Sequence, residues 1–80
     1  MSSYDSIFTA MVNTYTEQLY WHIRRLVVSH EDAQDVLQET FMKAYRKLWT
    51  LRDRSAARAW LYRIATNEAM RQLGRRKEQE

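Results

Sequence analysis

Apolar positions recur at helical spacing from the start of the chain: Phe8, Met11, Val12, Tyr15, Leu19, His22, Ile23 and Leu26 form one continuous stripe. The spacing predicts a first helix that begins near Asp5 or Ser6, either of which can cap it, and runs to about Val28. Thr14, Thr16, Tyr20 and Val27 are weak helix formers, so packing has to hold this helix. His22 lies inside the stripe, and a hydrogen-bonded, half-buried histidine is expected there rather than a ligand. A short break is expected over residues 29–31, where Ser29 with Asp32 resembles a capping box and Glu31, Asp32 and Asp35 suit the positive end of a second helix.

Over residues 31–49 the apolar face comprises Ala33, Val36, Leu37, Thr40, Phe41, Ala44, Tyr45 and Leu48. Opposite it, Asp35, Gln38, Glu39, Met42 and Arg46 line up in a narrow strip at ~100° per residue. Asp35 and Glu39 are like charges one turn apart, a mildly destabilising pair, and Met42 sits apolar among them. The strip suits a basic partner; the plainer reading is a solvated face neutralised by Lys43 and nearby arginines. A connector at residues 50–54 follows, with Asp53 or Ser55 able to cap a third helix from about Ala56 to Leu73. In that helix Ala57, Trp60, Leu61, Ile64 and Ala65 share the core arc, while Arg63, Asn67, Met70 and Arg71 lie on the flank. Glu68 falls on the apolar arc, where it needs a helix–helix cleft or a salt bridge. Gly74 is expected as a left-handed stop and residues 75–80 as a frayed charged tail. The predicted fold is all-α, a compact three-helix bundle with antiparallel helices and short connectors.

Composition sharpens this picture. Eighty residues make one small domain, and the lack of proline with a single glycine favours long helices over hairpins. There is no cysteine, so neither a disulfide framework nor a thiolate metal site is expected, and two histidines do not make a zinc site unaided. No apolar run approaches the ~20 residues of a membrane span, and the opening residues lack a signal-peptide pattern. A soluble, cytoplasmic protein without cofactor, metal or membrane partner is the expectation. Net charge is +3, unevenly placed. Residues 50–77 carry Arg52, Arg54, Arg58, Arg63, Arg71, Arg75, Arg76 and Lys77 against Asp53 and Glu68, whereas residues 31–49 are one unit negative. That polarity predicts two partners, one of them nucleic acid.

Catalysis has no support in the motifs: there is no glycine-rich phosphate loop, GxSxG or HExxH, and no enzyme activity is expected. Nucleic-acid binding has more. Arg52, Arg54 and Arg58 surround the connector, Arg63, Asn67 and Arg71 recur at i, i+4 and i+8, and Asn67 offers an amide to an adenine edge. The alternatives are a solvated arginine face with Trp60 and Tyr62 serving packing, or a helical protein-interaction module that never meets DNA. A helix-turn-helix repressor fits less well, because its turn usually contains glycine and this connector has none.

The segments DAQDVLQETFMKAYRKL and RAWLYRIATNEAMRQLGRR, in this order and separation, resemble region 2 of bacterial sigma factors of the sigma-70 family, closest to the extracytoplasmic-function group. Asp32, Asp35, Gln38, Glu39, Phe41, Ala44, Trp60, Leu61, Tyr62, Arg63, Ile64, Ala65 and Asn67 match the family pattern, and the first helix fits more loosely. The resemblance covers nearly the whole chain. It implies a transcription initiation domain whose second helix docks on the beta-prime clamp helices of core RNA polymerase through Asp35, Gln38, Glu39, Met42 and Arg46. It also implies that the connector and third helix engage the non-template strand of the promoter minus-ten element. Leu51, Arg52, Asp53, Arg54 and Ser55 would form a pocket for a flipped base, and Arg58, Arg63, Asn67 and Arg71 would follow the strand. An anti-sigma factor is a further partner of such domains. Where family members often carry Phe-Arg-Gly and an aromatic before the tryptophan, this chain has Leu51-Arg52-Asp53 and Ala57, which leaves the captured base unspecified. The family's helix-turn-helix domain for the minus-thirty-five element is absent from these residues, and an excised fragment is the expectation.

Overall fold

The computed structural model describes residues 2–79, with side chains through residue 75. Three α-helices follow in order: α1 (Ser3–Arg24), α2 (His30–Lys47) and α3 (Ala57–Gln79). Single 3₁₀ turns at Leu48–Thr50 and Arg54–Ala56 sit at either side of the α2–α3 connector. Ring contacts set the direction of the first pair: Tyr4 meets Tyr45 at 5.2 Å at one end and Tyr20 meets His30 at 5.6 Å at the other, so α1 and α2 are antiparallel. Gln72 donates to Asp32 at 3.1 Å and Lys43 pairs with Glu68, so α3 returns antiparallel to α2 and runs parallel to α1. The all-α three-helix bundle expected from the stripes is what forms.

The core is a seam of aliphatic side chains filled in by alanines. Leu19, Ile23, Val36, Thr40 and Leu61 are enclosed, and Ala33, Ala44, Ala57, Ala65 and Ala69 keep the helix axes close. Each enclosed aliphatic side chain contributes about 1.5–3 kcal/mol. The Thr40 hydroxyl survives full burial because it donates to the Val36 carbonyl one turn back, at 2.7 Å. Tyr45 departs from expectation: it is an exposed residue, not a buried one. Its ring packs edge-on to Phe8 at 5.0 Å, and its hydroxyl donates to Asp5 at 2.6 Å. An aromatic with a polar tip fits the edge of a core better than its centre.

Helix ends also shift. The Ser2 hydroxyl accepts from the Asp5 N–H at 3.2 Å, so α1 begins earlier than Asp5 or Ser6 would allow, and Asp5 becomes a first-turn acid. At its other end α1 stops at Arg24, before the expected Val28. The chain tightens there into a short turn, with the Leu26 N–H on the Ile23 carbonyl at 2.8 Å. The Ser29 hydroxyl accepts from the Asp32 N–H at 3.1 Å and starts α2 at His30. Asp53 caps the second 3₁₀ turn, its carboxylate accepting from the Ser55 N–H at 2.9 Å.

The largest departure is at Gly74. It does not stop α3, which runs through it to Gln79, and no glycine among the described residues has positive φ. The expected frayed tail is helical over residues 75–79, where arginine, lysine, glutamate and glutamine are all good helix formers. Nothing lies within 4 Å of a Cβ built on Gly74. Replacing it with alanine (G74A) should therefore raise unfolding free energy by up to ~1 kcal/mol, since helical glycine costs that much relative to alanine. Urea denaturation checks this; a loss of stability would mean that the helix ends at Gly74 after all.

Candidate functional site

With the inner face of α2 sealed against α1 and α3, its outer face is left to solvent. Asp35, Gln38, Glu39, Met42 and Arg46 are all exposed and form one strip. Trp49, seven residues beyond Met42, prolongs that side of the molecule and is 75% exposed. Asp35 and Gln38 also wall a shallow groove of about 370 Å³ against α1, completed by Val12, Thr16, Gln34, Leu37 and Phe41. Reading the sequence assigned Val12 to the core and gave Thr16 and Gln34 no role. Only the crossing of α1 over α2 brings these side chains beside the acidic strip.

In the connector Leu51 is half-buried, while Arg52, Asp53, Arg54 and Ser55 are exposed. Asp53 accepts both the backbone N–H and the hydroxyl of Ser55, the latter at 2.8 Å, and these bonds hold its carboxyl below the ordinary value. Leu51 and Arg54 reach a cavity of about 170 Å³ under the connector, shared with Ile7, Ala10, Met11, Thr14, Tyr15 and Ala57. Arg52, Asp53 and Ser55 do not line it, so the five proposed pocket residues divide into two that meet a cavity and three that face solvent.

The residues of α3 divide as well. Arg63, Asn67 and Arg71 are exposed, and the last two line a groove of about 120 Å³ with Lys43, Lys47, Ile64 and Glu68. Arg58 instead faces α1: its Nε donates to Gln18 at 3.2 Å, and its guanidinium lies 4.5 Å from the centre of the Tyr62 ring. The strand-following row drawn from sequence therefore loses Arg58 to the opposite flank. Glu68 is buried as expected and accepts Lys43 and, at 3.5 Å, Arg71. Lys43, a neutraliser of the outer acids only in the plainer reading of the sequence, and Lys47, to which the sequence gives no role, both line this groove. Their one-turn spacing on the flank of α2 was the available signal.

An acidic outer helix followed by a basic connector and third helix is the arrangement that the motifs imply, and comparison with known proteins identifies it. The model of the Sigma-70 region 2 family matches residues 11–79. The chain belongs to that family. It is 46% identical over 66 residues to the RNA polymerase sigma-H factor of Pseudomonas aeruginosa, covering 82% of this chain and 34% of that protein. It is 42% identical over 66 residues to the ECF RNA polymerase sigma-E factor of Haemophilus influenzae, covering 82% of this chain and 34% of that one. With the ECF RNA polymerase sigma factor SigG of Mycobacterium tuberculosis it shares 38% over 71 residues, 88% of this chain and 19% of the relative. The chain thus spans about a third or less of the length of these relatives. No solved structure matches it significantly.

Among the described residues of this sigma-70 region 2 domain, no group of three histidine, aspartate or glutamate side chains is placed to hold a metal, and no helix is long and apolar enough to cross a membrane. A polar cluster between α1 and α3 is structural. His22 Nε2 lies 2.8 Å from the Thr66 hydroxyl, and its ring tilts over Tyr62 at 4.6 Å, as expected for a half-buried, hydrogen-bonded histidine. Burial first, then the positive charges of Arg25 and Arg58, lowers its pKa below 6.5. The neutral form is therefore favoured in the folded state. The unfolded chain takes up the proton first, so the stabilisation is whole above pH 6.5 and is lost as pH falls through that value toward the folded pKa. Unfolding free energy should drop between ~pH 7.5 and ~pH 5.5, and H22Q should flatten that slope. Equal slopes for both proteins in denaturant titrations would refute the assignment.

Proposed function

We propose that this domain serves transcription initiation, docking on core RNA polymerase through the outer strip of α2 and engaging opened promoter minus-ten DNA through the connector and α3. The observation that carries this reading is the separation of charge on exposed surfaces of a family member. Asp35 and Glu39 are exposed on one helix, while Arg52, Arg54, Arg63 and Arg71 are exposed on the connector and another helix, Arg71 in loose contact with Glu68. Carboxylates presented on a helix suit arginines on the beta-prime clamp helices, where charge-assisted hydrogen bonds form. Gln38, Met42 and Arg46 extend the contact, and Met42 adds an adaptable apolar patch.

On the DNA side, arginines neutralise phosphates of the non-template strand, and Asn67 can pair with a base edge. Unstacking a base costs a few kcal/mol, which pocket contacts have to offset. The cavity under Leu51 and Arg54 supports a pocket near the connector, with Arg52, Asp53 and Ser55 at its approach. Arg58 contributes by holding α3 against α1 beside the connector. The function is binding and strand capture without a catalytic step, in the cytoplasm, over residues 1–80 as one region 2 domain. An anti-sigma factor would act by covering the α2 strip.

Charge reversal tests the docking face. Like charges across an interface cost several kcal/mol, so E39R should weaken capture of core polymerase by about a hundredfold or more while the helical circular dichroism stays unchanged. Undiminished capture by a folded variant would overturn the reading.

A further inference from the structure

The buried Glu68 is the feature that neither packing nor docking accounts for. It is only 4% exposed, and a carboxylate so buried demands a cation. Lys43 supplies one from α2, and Arg71 supplies a second from the next turn of α3 at 3.5 Å. A buried ion pair is often no more stabilising than apolar side chains of similar volume, so stability alone is a weak reason for the charge. What the charge does control is the groove above it. Lys43, Lys47, Asn67 and Arg71 line that groove, with Ile64 as its apolar wall and Glu68 as its acid. Lys47 is exposed and forms no ion pair with any described residue. The Arg71 side chain is 61% exposed at the lip, so it can turn outward from a loose contact.

Resting on the DNA-binding reading above, we propose that the α2–α3 groove is a track for the phosphate backbone of single-stranded DNA, and that Glu68 limits its strength by holding Lys43. Lys47 and Arg71 take phosphates, Asn67 donates its amide, and Ile64 packs against a sugar. The DNA surface thereby crosses from α3 onto the flank of α2, the side of that helix next to the docking strip. Glu68 is a positioning residue: it touches no DNA, and it withdraws one lysine from a groove that otherwise holds three cations. The track is left able to follow a strand delivered by polymerase without clinging to any single strand it meets.

Salt dependence tests this directly, because each phosphate neutralised on a single strand contributes about 0.7 to the slope of log affinity against log salt. The probe is a fluorescein-labelled oligothymidine, followed by anisotropy from ~20 to ~200 mM salt with the whole chain. K47A should lower the slope by ~0.7, and E68Q should raise it by ~0.7 and tighten binding about fivefold at ~0.1 M salt. E68D keeps the charge and should match the parent slope, whereas a purely structural Glu68 would change thermal stability and leave every slope alone. An unchanged slope in K47A, no tightening in a folded E68Q, or no binding by the parent and E68Q at the lowest salt overturns the proposal. K47A alone decides if E68Q does not fold, since Lys47 is on the surface. Unaltered slopes alongside intact promoter opening by the polymerase complex would remove this inference only; failure to capture polymerase, with the slopes as stated, would remove only the docking reading.

Discussion

The enclosure of one face of α2 between α1 and α3 is the constraint from which the rest of the domain follows. Ala33, Val36, Thr40 and Ala44 are almost wholly sealed. Helix geometry then leaves their counterparts half a turn away facing outward. Asp35, Gln38, Glu39, Met42 and Arg46 are exposed because the other side of the same helix is occupied. The outer strip is held in place by the core beneath it, although none of its members contributes to that core.

Polar ties fix the ends of this assembly. Tyr45 bonds Asp5 at one end, and Tyr20 bonds His30 at the other at 2.6 Å, so α1 and α2 have little freedom to slide. The Tyr45 bond, followed by that from Ser2, draws the Asp5 carboxyl below its ordinary value, and the same Asp5 contact raises the Tyr45 phenol. Between α2 and α3 the corresponding ties are Gln72 to Asp32 and the Lys43–Glu68–Arg71 group. The first acts at the bundle end, and the second lies at a groove. That placement is what lets an internal charge tune a surface.

The two flanks of α3 are put to different uses. On the α1 side Arg58, Tyr62 and Thr66 interlock with Gln18 and His22, a contact in which the arginine is stacked and hydrogen-bonded. On the α2 side Arg63, Asn67 and Arg71 keep exposed side chains. Arg63 and Arg71 are exposed on this flank, Arg71 in loose contact with Glu68, whereas Arg58 is engaged by Gln18 and Tyr62. The connector joins the arginine-bearing flank of α3 to the end of α2 in this member of the sigma-70 region 2 family.

Periodicity alone settled three helices, most of their buried faces (Tyr45 excepted) and the exposure of the α2 strip, because burial of an amphipathic stripe leaves the opposite arc no other place. The paired motifs settled the family. Pattern could not decide which flank of α3 Arg58 joins, since residues on either side of a buried arc have the same spacing until a neighbouring helix takes one of them. Nor could it show that Gly74 continues a helix: glycine permits a left-handed stop without requiring one, and the good helix formers after it prevail. The grooves, the cavity under Leu51 and the pairing of Glu68 with Lys43 are products of tertiary structure. They arise where side chains from two helices meet, and helix crossing sets that meeting, which no single stretch of chain encodes.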